Sequence, residues 1–244
     1  MKKTKIEWCD STLNPVVGCT FGCPFCYAKR LNDRFGFVED FTKPQFFPER
    51  LKQLDEKKPQ IIFMDSMSDI ADWEDEWISA VDKAIEKNPQ HNYMFLTKRI
   101  GVVSRTKSKN VFSLINRENV WLGITITNNA DMEERMYELY RLGNLNCKKF
   151  ISFEPLHEYI KDTLLHYFEN IDWVIIGAET GNRNGKIIPQ YYWLNNILYY
   201  AKTRMPQIPV FMKESMLKTA VEENVLREFP KSFKNQREKE GEKE

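Results

Sequence analysis

Three cysteines fall in the run Asn14-Pro15-Val16-Val17-Gly18-Cys19-Thr20-Phe21-Gly22-Cys23-Pro24-Phe25-Cys26-Tyr27, with the spacing C-x3-C-x2-C. Gly22 and Pro24 suit a backbone that wraps tightly enough to aim three sulfurs at one point. Three thiolates can hold three irons of a four-iron, four-sulfur cluster. A closed cluster takes four cysteines, so the fourth iron is left open for a ligand. The alternative is structural zinc, with Cys9 as fourth ligand in a C-x9-C-x3-C-x2-C arrangement and the chain acting as a zinc-stabilised nucleic-acid-binding module without catalysis. Zinc sites usually use paired C-x2-C knuckles, and one such pair occurs here. Five cysteines in all, an odd number with three clustered, make a poor disulfide framework and point to metal in a reducing compartment.

The spacing, with aromatic Phe25 directly before the third cysteine, closely resembles the cluster motif of the radical S-adenosylmethionine superfamily. The resemblance extends to a small, phage-associated branch of it through Ile6-Glu7-Trp8, Asn14-Pro15, Gly18-Cys19, Ser66-Met67-Ser68-Asp69, Thr97-Lys98-Arg99, Trp121-Leu122-Gly123, Ser152-Phe153-Glu154-Pro155-Leu156 and Gly177-Ala178-Glu179-Thr180-Gly181. Cys9 stands where the branch has threonine and Leu13 where it has tryptophan; neither touches the triad. The resemblance implies one 4Fe-4S cluster on Cys19, Cys23 and Cys26, its open iron binding the amino and carboxylate groups of S-adenosylmethionine. An electron from a donor such as flavodoxin or ferredoxin then cleaves the sulfonium to methionine and a deoxyadenosyl radical, which abstracts hydrogen from a substrate. By the same analogy Ser66, Ser68, Thr125 and Ser152 meet the methionine and ribose parts, with Phe25 or Tyr27 beside the adenine.

Geometry selects the remaining candidates, because parallel β/α folds bind ligands beyond the carboxyl ends of their strands. The polar groups expected there include Asp69, Lys98, Arg99, Glu154, Glu179 and Lys213. Charged groups converging at such a mouth cost desolvation unless they are paired or bind ligand. Glu154, Glu179 and Lys213 are the catalytic candidates. Asp69, Lys98 and Arg99 are the substrate-binding candidates, the two cations suiting a carboxylate or phosphate. The bland reading is an internal salt-bridge network. Asp65 to Glu76 holds six acidic and no basic residues, Thr97 to Lys109 five basic and no acidic ones, so these two loops are expected to attract each other.

The elements that position these residues are short apolar, β-branched and aromatic runs alternating with helix-compatible stretches. Strands are expected at Asn14 to Gly18, Gln60 to Met64, Asn92 to Leu96, Val120 to Thr125, Lys149 to Phe153, Asp172 to Gly177 and Ile208 to Met212. Leu194, Ile197, Leu198 and Ala201 repeat with helical period after Pro189, and Trp73, Trp77, Ala80, Val81 and Ala84 do so earlier. Six to seven βα units predict an α/β fold, a partial or full parallel β/α barrel in a single domain over residues 1–230, with an open doubly wound sheet as the other solution. Residues 231–244 are expected to be a charged, flexible tail.

The chain has 244 residues, of which 42% are hydrophobic and 29% charged, with formal net charge +1. That balance argues against a protein held on duplex DNA by bulk charge. No apolar run reaches the roughly 18 residues of a membrane helix, and Glu7 and Asp10 interrupt any signal-peptide core. A cytoplasmic enzyme with no membrane partner is expected. Outside the triad, Cys9 and Cys147 are too few for an auxiliary cluster. A small-molecule or nucleotide-like substrate with an anionic moiety near Lys98, Arg99 and Arg105 is the leading expectation, and a base within nucleic acid the competing one.

Overall fold

The computed structural model describes residues 2–181, 183–220 and 225–233. Of the expected tail, residues 234–244 lie outside the described residues. In chain order the elements are β1 (Lys2–Lys3), β2 (Ser11–Thr12), β3 (Val16–Val17), α1 (Tyr27–Phe35), β4 (Gln45–Phe46), β5 (Ile61–Phe63), α2 (Asp75–Lys87), β6 (Asn92–Thr97), α3 (Ile100–Arg105), α4 (Lys109–Ile115), β7 (Val120–Thr125), α5 (Asn129–Arg141), β8 (Lys148–Phe153), α6 (Asp162–Leu165), β9 (Trp173–Ile176), α7 (Tyr191–Thr203) and β10 (Val210–Met212).

The main sheet has the order β1-β2-β5-β6-β7-β8-β9-β10. β1 is antiparallel to β2, and the strands from β2 onward are parallel. The order follows the chain without the reversal that defines a doubly wound sheet, and among the described residues its two ends are not paired with each other. This is the topology of a partial parallel β/α barrel, as the alternating pattern leads one to expect. Near-continuous apolar runs, such as Trp173-Val174-Ile175-Ile176, are buried at every position, as strands covered on both faces require.

Two expectations are corrected. The first parallel strand is Ser11–Thr12, paired with β5, whereas Val16–Val17 pairs antiparallel with Gln45–Phe46 in a separate two-stranded sheet. Two polar residues carry too little apolar signal to be read as a strand. The buried face of α2 is Ile78, Val81, Asp82 and Ile85, rotated from the expected stripe. Trp77 instead stacks on Phe46 at 5.8 Å, and Asp82 tolerates burial because Ser113 and Arg117 donate to it at 2.6 and 2.5 Å. The buried face of α7 is the expected one, Leu194, Ile197, Leu198 and Ala201.

The chain divides into two compact units, Met1–Leu122 with Asn144–Lys148 and Gly123–Gly143 with Lys149–Glu244. The first has Trp8, Leu54, Ile61, Ile62, Tyr93 and Phe95 in its core; Trp8 lies 4.8 Å from Phe63, ring to ring. The second is built on Trp173, whose indole meets Phe150, Phe211, Phe229 and Phe233 at 5.5–6.4 Å. Phe233 is fully buried there, so the core extends past residue 230.

Candidate functional site

In the first unit the cysteine loop is pinned on both sides. Gly18 donates to the Met67 carbonyl at 3.0 Å and Cys19 to the Phe41 carbonyl at 2.8 Å. Position 18 needs glycine twice over, for its φ of 117° and because a Cβ would stand 2.8 Å from Pro44 Cα. Beneath the loop, Val17, Ala28, Val38, Phe41 and Met67 form an apolar cluster against which Cys19 and Cys26 pack. Cys26 caps α1: its Sγ accepts from the Lys29 N–H at 3.3 Å, and its own N–H donates to the Cys23 carbonyl at 3.1 Å. Cys19 Sγ accepts from the Phe21 N–H at 3.5 Å.

A charged clamp, which the sequence reading did not single out, closes over Thr20. Asp72 accepts the Thr20 N–H at 2.9 Å and its hydroxyl at 2.7 Å. Arg99 then places Nη1 2.9 Å from both Asp72 and Thr20 and Nη2 2.5 Å from Asp72. The guanidinium fork matches a carboxylate in this bidentate way, as an ammonium cannot. Asp69, 4% exposed, accepts from the Thr97 hydroxyl at 2.7 Å and the Lys98 N–H at 3.0 Å. The acidic and basic loops therefore do attract each other, and Arg99 and Asp69 are engaged in that network. Lys98 sends its ammonium to 5.3 Å from the Phe25 ring. The contrast of the two charge runs was the only sequence signal for Asp72.

The other first-unit candidates are held by neighbours too. Tyr27 donates to the Ser66 carbonyl at 2.6 Å; Ser66 Oγ donates to Asn14 Oδ1 at 3.0 Å, the same oxygen that receives the Met67 N–H. Ser68 Oγ accepts the Trp73 indole N–H at 3.0 Å.

In the second unit, register explains the charged groups. β8 pairs with β9 as Phe150↔Trp173 and Ser152↔Ile175, and β9 with β10 as Ile175↔Phe211. Since side chains alternate, two residues further on Glu154, Gly177 and Lys213 form one row past the strand ends. Gly177 leaves out a side chain between the other two, and a Cβ there would lie 3.1 Å from Lys213 and 3.2 Å from Glu154. Lys213 Nζ donates to Glu154 across that gap. Ser152 lies one row lower, fully buried, and its hydroxyl has no partner among the described residues. Glu179 receives Arg183 in a fork at 2.6 and 2.8 Å, with His157 Nε2 at 3.4 Å. The Arg183 guanidinium holds the Glu179 carboxyl below its ordinary range despite burial. Thr125 is buried, and its carbonyl accepts from Arg135.

No disulfide joins any of the five cysteines. Burial pushes the Cys19 thiol up to about 12, with Asp69 and Asp72 adding to the rise and the Phe21 N–H and Arg99 opposing it. Burial likewise raises Cys23, opposed by Lys98. Among the described residues no three His, Cys, Asp or Glu side chains are grouped to hold a single metal ion. A cluster makes a different demand, one thiolate per iron. The donor set fits it: three thiols on one loop, backbone N–H donors to two of the sulfurs, and the N-terminal end of α1, which favours negative charge. Cys9, which the zinc reading needs as fourth ligand, is buried with Sγ 3.9 Å from the Ile6 carbonyl.

No helix among the described residues is long and apolar enough to cross a membrane. Among solved structures, the crystal structure of SuiB from Streptococcus suis is similar over 90% of this chain and 53% of that one, with a TM-score of 0.54 and 12% identity. At that identity the likeness is one of fold, and this chain spans about half the length of its neighbour. No curated protein matches. A family model does match residues 3–234, which is nearly the whole chain, so the protein belongs to the family described as protein of unknown function DUF5131.

Proposed function

We propose that this protein is a cytoplasmic radical S-adenosylmethionine enzyme that abstracts hydrogen from a small or nucleotide-like substrate. The observation that carries the reading is the cysteine loop: three free thiols within one turn-rich segment, fixed by Gly18, Cys19 and Thr20 backbone bonds and met by N–H donors at Cys19 and Cys26. When bound, the cluster with its open iron supplies one-electron reductive cleavage of the sulfonium. Cys19, Cys23 and Cys26 would hold it. Their thiols must lose protons on loading, which the burial of Cys19 and Cys23 makes costly without metal.

The protein's own residues do the rest. Lys98 anchors an anionic moiety, while Arg99 and Asp69 act through the clamp. In the second unit, Glu154 and Lys213 set an acceptor and a donor side by side over Gly177, an arrangement complementary to a nucleobase edge with adjacent donor and acceptor. The buried Ser152 hydroxyl offers a further hydrogen bond to a ligand. Glu179, kept ionised by Arg183, is the remaining charged group proposed for the reaction.

The test is anaerobic incubation of reconstituted, reduced protein with S-adenosylmethionine and candidate nucleotides or oligonucleotides, following deoxyadenosine. Formation above the level of a Cys19→Ala, Cys23→Ala, Cys26→Ala variant, increased by an anionic substrate, is expected. Stimulation only by an uncharged metabolite or a peptide rejects the substrate class. No formation above the variant rejects the chemistry.

A further inference from the structure

A surface helix normally turns its apolar stripe to the core. α1 does the reverse. Tyr27, Leu31 and Phe35, spaced i, i+4, i+8, are 44%, 37% and 57% exposed, while its buried positions are Ala28 and Asn32. Asn32 anchors the helix by polar means, exchanging two hydrogen bonds with the Val38 backbone at 3.0 and 2.9 Å. Arg30 and Arg34 are exposed on the same stripe, and Arg34 lies 5.1 Å over the Phe35 ring. Phe37, 46% exposed, adds its ring 5.9 Å from Phe35. Aromatic side chains and arginines grouped on an exposed face have the composition of a protein–protein contact.

The position of this face is specific. α1 starts at the residue after Cys26, whose sulfur caps it. At about 1.5 Å per residue, Arg30 and Leu31 stand roughly 6–8 Å and Phe35 roughly 13–14 Å along the axis from Cys26. The proposed chemistry needs an electron from outside, and Cys9 and Cys147 are too few to hold a second cubane as a relay. We propose that the outward face of α1 docks an acidic electron-donor protein, a proposal that rests on the radical reading. The donor's reduced flavin would pass one electron to the iron–sulfur cluster that Cys19, Cys23 and Cys26 would hold, the flavin being oxidised by one and the cluster reduced by one, with no bond formed or broken at the contact.

Charge favours this occupant. α1 carries Lys29, Arg30 and Arg34 against Asp33 alone, and Lys29 pairs with that aspartate at 2.8 Å.

The probe is an acidic flavodoxin in its fully reduced form, mixed anaerobically with reconstituted protein while the cluster absorbance is followed. Reduction is expected to saturate, to slow with added salt, and to fall at least tenfold in Arg30→Glu, Arg34→Glu and in Leu31→Ser, Phe35→Ser, with dithionite reducing all of them alike. In metal-free protein, flavodoxin is expected to slow amide exchange over residues 27–37. Unreactive wild type, or variants reduced by flavodoxin at the wild-type rate, would overturn the proposal. So would variants still reduced by flavodoxin at the wild-type rate that instead lose binding to a single-stranded oligonucleotide or lose self-association. A chain that takes up no iron and sulfide falls together with the radical reading, a failure seen before any donor is added.

Discussion

Asp65 shows how much a single side chain at a strand end can cost. It is 2% exposed and accepts the Leu96 N–H at 3.1 Å; burial, reinforced by the like charge of Asp69, pushes its carboxyl well above the ordinary range. The folded state therefore holds this proton more tightly than the unfolded chain. Its contribution is present at low pH and is lost as pH rises from the ordinary carboxylate range through the raised value. Asp65→Asn keeps the acceptor for Leu96 and removes the penalty. We expect its Tm to exceed that of wild type at pH 7, by roughly 2–4 °C per kcal/mol regained, with the gap closing near pH 4; a Tm below wild type at pH 7 would refute the assignment. At the cysteines, Ser substitution at position 19, 23 or 26 should abolish or sharply reduce iron and sulfide uptake, while Cys9→Ser and Cys147→Ser should leave it intact, as colorimetric analysis would show. The triad was legible in the sequence because its ligands are close along the chain. Asp72 was not: its partners Thr20 and Arg99 are remote in sequence, and charge runs do not reveal which carboxylate in an acidic loop reaches which hydroxyl.

Among elements, β6, β7 and β8 were legible to within a residue or so, because strands buried on both faces spell continuous apolar runs. The segment before the cysteines was not, since Ser11–Thr12 joins the sheet through backbone pairing with Ile62 and Phe63 rather than through apolar side chains. Trp77 misled the reading of α2 because a large aromatic can find a stacking partner away from the main buried face. The loop between β3 and α1 depends on its clamp. Asp72→Ala should speed amide exchange at Thr20 by tenfold or more in metal-free protein with little change in Tm, and Asp72→Glu should restore part of the protection; unchanged exchange would mean that the clamp does not hold the loop. Gly18→Ala meets the Pro44 backbone and a positive φ together, so it should lower Tm by several degrees and impair cluster loading.

At the scale of the whole molecule, the parallel order of the sheet places the carboxyl ends of successive strands on one edge, and the candidate side chains in each unit follow those ends. The fold class could be read from alternation alone. Chemistry could not, because a partial β/α barrel hosts many activities and its function rests on particular groups at the strand ends. Family membership across residues 3–234 means that the cysteine loop, the clamp and the Glu154–Lys213 pair all lie within the shared domain. On the proposed reading, Cys19, Cys23 and Cys26 hold an iron–sulfur cluster. The measurement that tests it most directly is iron, sulfide and zinc content per chain after anaerobic reconstitution with all three available, on wild type and the triple cysteine variant. About four iron and four sulfide are expected per wild-type chain and neither in the variant. Stoichiometric zinc without sulfide, removed by the same three substitutions, would contradict it.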